Sequence, residues 1–286
     1  MSGQDVAGGI STHSEQVVPV QDGYVSARYR NYALFLLMTI YMVNLLDRMV
    51  VNILAEHIKR ELHLADWQLG LMSGFAFALF YSVLGIPIAR IAERGDRPVI
   101  IGIAAAVWSA FTVLCGTVQY FWQLVLARIG VGVGEAGCTP PAHSLIFDYA
   151  PPDRRSSALA FYGMGGPLGS LLGMAFGGLV ADAYGWRVAF FLAGAPGLIF
   201  ALLAIFTLKE PRRKLSKAMA ARVPKTSFAD VLKVLRSKTS FWFVVSGQAL
   251  KAFIQYGKAP FVASFFIRSH GDGLAAATES FNNTFG

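Results

Sequence analysis

Long apolar runs alternate with short polar ones along this chain. Seven of the apolar runs come close to the roughly 20 residues that a bilayer core requires. They lie at about 32–54, 68–89, 98–116, 119–148, 156–181, 186–207 and 240–267. Short connections join the first six, so those helices are expected to be neighbours in one bundle. Residues 209–238 interrupt the pattern with a polar, strongly basic stretch. The pattern predicts an all-α membrane protein. It has a six-helix N-terminal bundle over 31–208, a basic cytoplasmic inter-domain loop over 209–238 and one further transmembrane helix over 239–268. Residues 1–30 are polar and lack the apolar core of a signal peptide, so they read as a disordered cytoplasmic tail. Residues 269–286 read as a short, truncated polar tail.

Basic residues orient the bundle, because cytoplasmic loops carry an excess of Lys and Arg. With the N-terminus inside, the inner connections hold Arg28, Arg30, Arg90, Arg94, Arg97, Arg154, Arg155 and the whole basic stretch 209–238. The outer ones hold only Lys59, Arg60, Arg187 and Arg268. The bias predicts an integral protein of the cell (inner or plasma) membrane with its N-terminus cytoplasmic.

Four basic groups and two acids fall well inside the apolar runs, away from their ends. A charge at the bilayer centre costs about 2.5–3.5 kcal/mol even on lenient scales, so such residues face a bundle interior and mark function. Arg128 and Glu135 are seven positions apart in the fourth run, on one helix face and about 10 Å apart along the axis. Asp47 and Arg48 sit past the middle of the first run, in NLLDRMVVN. Neighbours on a helix point about 100° apart, so this pair does not neutralise itself face to face. Counted at 1.5 Å per residue, Asp47 lies about 22 Å from the inner edge and Arg128 about 16 Å, within an Arg side chain's reach. Asp47 is therefore expected to be a protonation site governed by Arg128, the alternative being a static pin between two helices. Lys251 and Lys258, again seven apart, should avoid lipid and complete a cavity with Arg48, Arg128 and Glu135. Four basic groups facing one cavity suit an anionic or zwitterionic cargo, and the apolar, aromatic surroundings allow an amphiphile.

Composition agrees and excludes other classes. The chain of 286 residues is 55% hydrophobic and only 15% charged, against about 25% charged in soluble domains. Its net charge of +8 is spread between apolar runs rather than along a basic helix, so no nucleic-acid partner is expected. Cys115 and Cys138 both lie in apolar runs and predict no disulfide framework. No nucleophile–base–orienter set and no metal-ligand spacing is visible, so neither an enzyme, a cofactor nor a metal is expected; a membrane enzyme using Asp47, Glu135 and His143 ranks lowest.

Other motifs have packing readings. Gly132, Gly134 and Gly137 spell GxGxxG but neither follow a strand nor open a helix, so a dinucleotide site is set aside. With Gly130, these glycines allow close helix contact or room for cargo. Pro140 and Pro141 should kink the fourth helix. His143 reads first as an interface residue. Gly165, Gly169, Gly173 and Gly177 form an i, i+4 ladder on which another helix can lie backbone to backbone. Arg90, Glu93, Arg94, Asp96 and Arg97, with Asp148, Asp153, Arg154 and Arg155 at the matching depth, read equally as a charge network at the inner face or, for the arginines, as positive-inside anchoring.

These residues resemble the major facilitator superfamily, and within it the spinster-type transporters. ARIAERGDRP is similar to the loop signature GxxxDRxGRR, departing from it at Ala89, Glu93, Asp96 and Pro98. RIGVGVGEAG resembles the Arg-and-glycine motif of helix 4, and GEAGCTPPAHSLIFDYAPPDRRSSAL a GEA…P…S.I.D…P..R run of spinster-type members. GGPLGSLLGMAFGGLVAD, GWRVAFFLAGAPG and LKEPRR resemble the motifs of helices 5 and 6. The resemblance implies twelve helices in two halves, cargo bound between them and alternating access. For some spinster-type members it also implies proton-linked movement of lysolipid or sphingolipid-like amphiphiles. It places Asp47, Arg48, Arg128 and Glu135 at the central charged positions, Glu93, Arg94 and Arg97 at an inner gate, and Asp148 at the acidic end of helix 4.

The expected function is therefore secondary active transport of a small anionic or lysolipid-like cargo, with the bilayer, the cargo and protons as partners. The chain is expected to be a fragment whose C-terminal half is missing. Alternatives are a truncated protein that docks on partners without transporting, or a general efflux or organic-anion transporter.

Overall fold

The computed structural model describes residues 25–214 and 233–285; the side chains of 93, 94, 213, 214, 260, 263, 267 and 270–285 are outside the description. Helix α1 spans Ala27–Leu62, opened by the Ser26 side chain, which accepts from the Tyr29 amide at 3.3 Å. It closes at His63, whose positive φ of 51° ends the helix with a left-handed residue. The second apolar run is Asp66–Gly70 (α2), a π-helical turn Leu71–Phe75, and Ala76–Arg94 (α3). Asp96 caps α4, Arg97–Cys115, by accepting from the Val99 amide, and Pro98 occupies the first turn, where no donor is lost.

The fourth run is two helices, α5 (Phe121–Ala136) and α6 (Thr139–Tyr149). The interruption expected from the two prolines falls just before them, at Gly137–Cys138. A proline clashes with the carbonyl four residues back, so Pro140 and Pro141 open α6 instead of bending a continuous helix. The last turn of α5 tightens to i→i−3 bonds, Gly137 N to Gly134 O and Cys138 N to Glu135 O. Then come α7 (Arg155–Gly163), α8 (Gly165–Tyr184), a turn at Gly185 with φ of 85°, and α9 (Trp186–Thr207). The last helix, α10, runs Thr239–Phe285. It extends well past residue 268, correcting the polar tail expected there: no proline follows Pro260 to stop it. At the other end α1 takes in residues 27–30, assigned to the tail from sequence. Most of the basic stretch, residues 215–232, and most of the N-terminal tail, 1–24, lie outside the described residues.

Among the described residues there is no strand, and five helical stretches are long and apolar enough to cross a membrane. Helix α1 packs chiefly on α8, and α4 on α9 and α5. The ladder makes the first contact: a Cβ on Gly165 would stand 2.6 Å from Met38 O, one on Gly173 2.7 Å from Leu46 O, and one on Gly169 would strike Met42 O. Only glycine permits this approach. Large apolar side chains such as Leu179 and Phe206 are left exposed, as a lipid-facing surface requires.

Two apolar cores fill the interior. One gathers Leu37, Ile40, Trp108, Leu145 and Ala204 around the first half of α1; the other gathers Val50, Leu54, Met72, Phe121 and Phe190 around its second half. Between them α1 passes through Asn44, Asp47 and Arg48. The charges thus form a layer between two apolar cores.

Candidate functional site

The layer is built by α1, α3, α4, α5 and α10. Asp47 and Arg48, about 100° apart on α1, pair with two different residues of α5. Arg128 Nη1 stands 3.6 Å from Asp47 Oδ2, and Arg48 Nε lies 2.5 Å from Glu135 Oε2. The expected Asp47–Arg128 neighbourhood is present. The Arg48–Glu135 bond was not foreseen, although the single face shared by Arg128 and Glu135 carries both partners. Helical side chains slope toward the N-terminus of their helix, which sends the long Arg48 chain back along α1 toward the level of Glu135.

Burial separates the two pairs. Asp47, Arg128 and Glu135 side chains are 2% exposed or less, whereas Arg48 retains 12%. Arg48 is therefore the group that a molecule entering the layer meets first. Three rings surround it: its guanidinium carbon lies 4.9 Å from the Phe77 ring centroid and 4.8 Å from that of Tyr81, and its Nη1 donates to the Tyr256 hydroxyl of α10 at 3.1 Å. Arg128 also stands over Phe77, at 5.3 Å. Glycines admit these neighbours: a Cβ on Gly132 would come within 3.0 Å of Phe77 O, and one on Gly134 would strike the Trp108 backbone of α4. The GxGxxG match is a packing surface.

Several buried polar atoms of the layer lack a hydrogen-bond partner: both Asp47 carboxylate oxygens, Arg128 Nε and Nη1, Glu135 Oε1, Asn44 Nδ2, Ser109 Oγ and Thr112 Oγ1. Buried polar groups are normally satisfied, so this layer holds more bonding capacity than its present contacts use. Lys251 and Lys258, expected at the same cavity, do not reach the layer within this chain. Both are exposed. At 100° per residue they lie about 220° and 200° around α10 from Tyr256, on the far side from the face that meets Arg48. His143 stacks edge-on against Tyr162 at 5.2 Å, an interface position.

A second cluster occupies the end of the bundle where α4 begins. Arg97, fully buried, donates from Nε to Glu210 Oε2 at 2.9 Å and from Nη1 to Ser144 Oγ at 3.0 Å, and its Nη2 is 2.7 Å from Asp148 Oδ2. Its backbone amide also donates to Glu210 Oε2, and Nη2 bonds Glu210 Oε1. Arg212 joins through Asp148 at 3.2 Å and Ser144 at 3.0 Å. Burial opposes ionisation of Glu210, but the bonds from Arg97 and the Arg212 amide outweigh it and hold this carboxyl below its ordinary range. Of the expected gate, Arg97 and Asp148 meet; the side chains of Glu93 and Arg94 lie outside the described residues. Sequence reasoning missed Glu210, Arg212 and Ser144, though LKEPRR had marked the first two as part of a motif.

A third cluster ties α10 to the opposite end. Arg268 Nη2 lies 3.0 Å from the buried Glu56 Oε2 on α1 and 2.9 Å from Asp66 Oδ1 on α2, and Lys59 also bonds Asp66, at 2.7 Å. Arg268 had been read only as an outer-loop charge.

A family model for the Major Facilitator Superfamily matches residues 37–281. Among curated relatives, the chain is 38% identical over 81% of its length to an MFS-type efflux pump of Mycolicibacterium smegmatis, covering 53% of that protein. It is 30% identical over 68% of its length to a probable sphingolipid transporter, spinster homolog 1, of Arabidopsis thaliana, covering 41% of it. Among solved structures, a bacterial homolog of the human lysosomal transporter Spinster, inward-facing and unoccupied, superposes with a TM-score of 0.75 at 37% identity, over 86% of this chain and 57% of that one. The chain thus spans about half the length of the relatives it matches.

Proposed function

Since the chain belongs to the major facilitator superfamily, a family of integral membrane transporters rather than enzymes, we propose that it takes part in proton-linked transport of a small anionic or lysolipid-like cargo by alternating access. It acts with its N-terminus on the cytoplasmic side of the cell membrane. The observation that carries this reading is the pairing of two adjacent α1 charges with two α5 charges in a layer between apolar cores.

The chemistry follows from which group is accessible. An anionic head group reaching Arg48 competes with Glu135 for the same guanidinium. Once displaced, Glu135 is a carboxylate in a fully buried place without its cation, and a proton is the remaining way to neutralise it. Cargo arrival and proton uptake are then linked at one residue, and Asp47 with Arg128 forms the adjoining proton station. The rings of Phe77, Tyr81 and Tyr256 beside Arg48 suit the apolar portion of an amphiphile. Similarity to a protein named as a probable sphingolipid transporter supports a lipid-like cargo. The efflux-pump relative keeps a general organic anion as the second reading. Both relatives are named for moving something, which favours transport over docking on membrane partners alone.

Everted membrane vesicles from cells making the protein, loaded with a pH-sensitive dye, test this. Adding an anionic lysophospholipid is expected to drive a proton signal that Arg48→Ala and Asp47→Asn abolish, while a short organic anion gives less. A lysophospholipid-driven signal that persists in both variants would sink the reading. A larger response to the organic anion would transfer the proposal to the second cargo class.

A further inference from the structure

The Phe77 ring lies between the two ion pairs without belonging to either. It is buried at 2% exposure, and the guanidinium carbons of Arg48 and Arg128 stand 4.9 and 5.3 Å from its centroid. Both are within the roughly 6 Å over which a ring face attracts a cation. Its place is fixed from both sides: Tyr81, four residues on, stacks against it at 5.6 Å and 20°, and Gly132 of α5 clears the space for its backbone and ring edge.

We propose that Phe77 is a positioning residue that couples the two ion pairs by holding both guanidiniums on one ring. The geometry of the Asp47–Arg128 pair is the reason to assign it this role. A charge-assisted N–H···O bond between such groups is normally about 2.7–2.9 Å long, yet Arg128 Nη1 stays 3.6 Å from Asp47 Oδ2 and makes no hydrogen bond. Attraction to the ring holds Arg128 back from full engagement with Asp47, which keeps Asp47 ready to accept a proton. The same ring holds Arg48, so a displacement of Arg48 by cargo changes what Arg128 feels without any contact between the two arginines.

The titratable and charged groups around this assembly are Tyr41, Asp47 and Arg48 on α1, Tyr81 on α3, Cys115 on α4, Arg128 and Glu135 on α5, Cys138 just beyond it, and Tyr256 on α10. Removing the ring while keeping apolar bulk leaves all of them in place. Arg128 is then free to close on Asp47, and the carboxylate form gains.

The inference rests on the reading of Asp47 and Glu135 as proton sites, and infrared titration of the protein in liposomes separates the two. The protonated-carboxyl stretch is followed against pH, with Asp47→Asn and Glu135→Gln assigning its components. Phe77→Leu is expected to lower the proton affinity of the Asp47 component about tenfold, moving its midpoint about one pH unit to the acid side. Phe77→Tyr, which keeps the ring, leaves the midpoint within about 0.3 unit of wild type. If Phe77→Leu does not fold, Gly132→Ala decides, because its Cβ would press on Phe77 O at 3.0 Å and on the ring Cδ2 at 3.3 Å. It is expected to move the midpoint in the same direction. A wild-type midpoint in the folded leucine variant, or in the alanine variant when it decides, overturns the coupling role alone. A wild-type band that does not respond to either carboxyl substitution overturns the proton-site reading, and the coupling role with it.

Discussion

Glu210 is the residue whose loss should most damage the cluster where α4 begins. Its carboxylate accepts from the Arg97 backbone amide at 3.0 Å, from Arg97 Nε at 2.9 Å and from the Arg212 amide at 3.0 Å. Glu210→Ala removes these acceptors and leaves a fully buried guanidinium with Asp148 and Ser144. Breaking a buried pair by removing one partner costs about 3–5 kcal/mol, because the remaining charge stays desolvated. Asp148 is 31% exposed and still pairs with Arg97, so the lower end applies, about 3 kcal/mol. For about 200 folded residues that corresponds to roughly 6–12 °C in melting temperature. Thermal unfolding in detergent, followed by tryptophan fluorescence, measures it. Replacing both partners, Arg97→Met with Glu210→Leu, should recover much of the loss, since an apolar pair of similar volume leaves no buried charge. A drop below about 2 °C in Glu210→Ala, or a double variant worse than the single one, would refute the reasoning.

The same residue fixes a pH dependence. Its carboxyl is held below the ordinary Glu value of about 4.5, so the folded state binds its proton less readily than the unfolded chain does. The stabilisation is therefore complete above about pH 4.5 and is lost as pH falls through the folded value. In Glu210→Gln that acid-side loss should be reduced relative to wild type, and equal acid slopes would count against the assignment.

Gly169→Val places side-chain atoms against Met42 O, where a single Cβ already does not fit. It should separate α1 from α8 and cost at least about 3 kcal/mol, visible as lost folded protein in size-exclusion profiles. Gly178→Ala, with nothing within 4 Å of the added Cβ, is the matched control and should behave as wild type. Arg268→Ala should cost little global stability, about 1 kcal/mol or less, because Arg268 is 39% exposed and Arg60 remains 3.7 Å from the Glu56 carboxylate. It should nevertheless broaden the distance distribution between spin labels on α1 and α10, and an unchanged distribution would show that other contacts hold α10.

The helical layout was legible because a bilayer demands long apolar runs and puts no competing structure in their place. The break between α5 and α6 was legible in kind from Pro140 and Pro141 and displaced in position, because a proline acts on the carbonyl of the preceding turn. Asp47, Arg48, Arg128 and Glu135 stood out as charges in apolar surroundings, and helix arithmetic brought Arg128 toward Asp47. Phe77 and Tyr81 could not stand out: an aromatic in an apolar run looks like any lipid-facing or core residue until the arginines above it are placed. Lys251 and Lys258 show the converse. Spacing put them on one face of α10, but spacing alone does not say which face a helix presents, and Tyr256 holds that position.

The three charge clusters differ in what they join, and this bears on how such a layer could be exposed from either side. At the end where α4 begins, Arg97 ties α4, α6 and the segment just after α9, all parts of the six-helix bundle. At the other end Arg268 ties α10 to α1 and α2. In the middle, Arg48 bonds both ways, to Glu135 inside the bundle and to Tyr256 of α10. Moving α10 against the bundle therefore breaks the contacts of Arg268 and the bond from Arg48 to Tyr256, but none of those of Arg97. On the proposed alternating access, the buried cluster would brace the bundle and the partly exposed one would serve as the joint. Exposed ion pairs are worth about 1 kcal/mol or less, buried ones several times that to break. A joint made of the former and a brace made of the latter allow repeated opening at one end without unfolding the helices that carry Asp47 and Glu135.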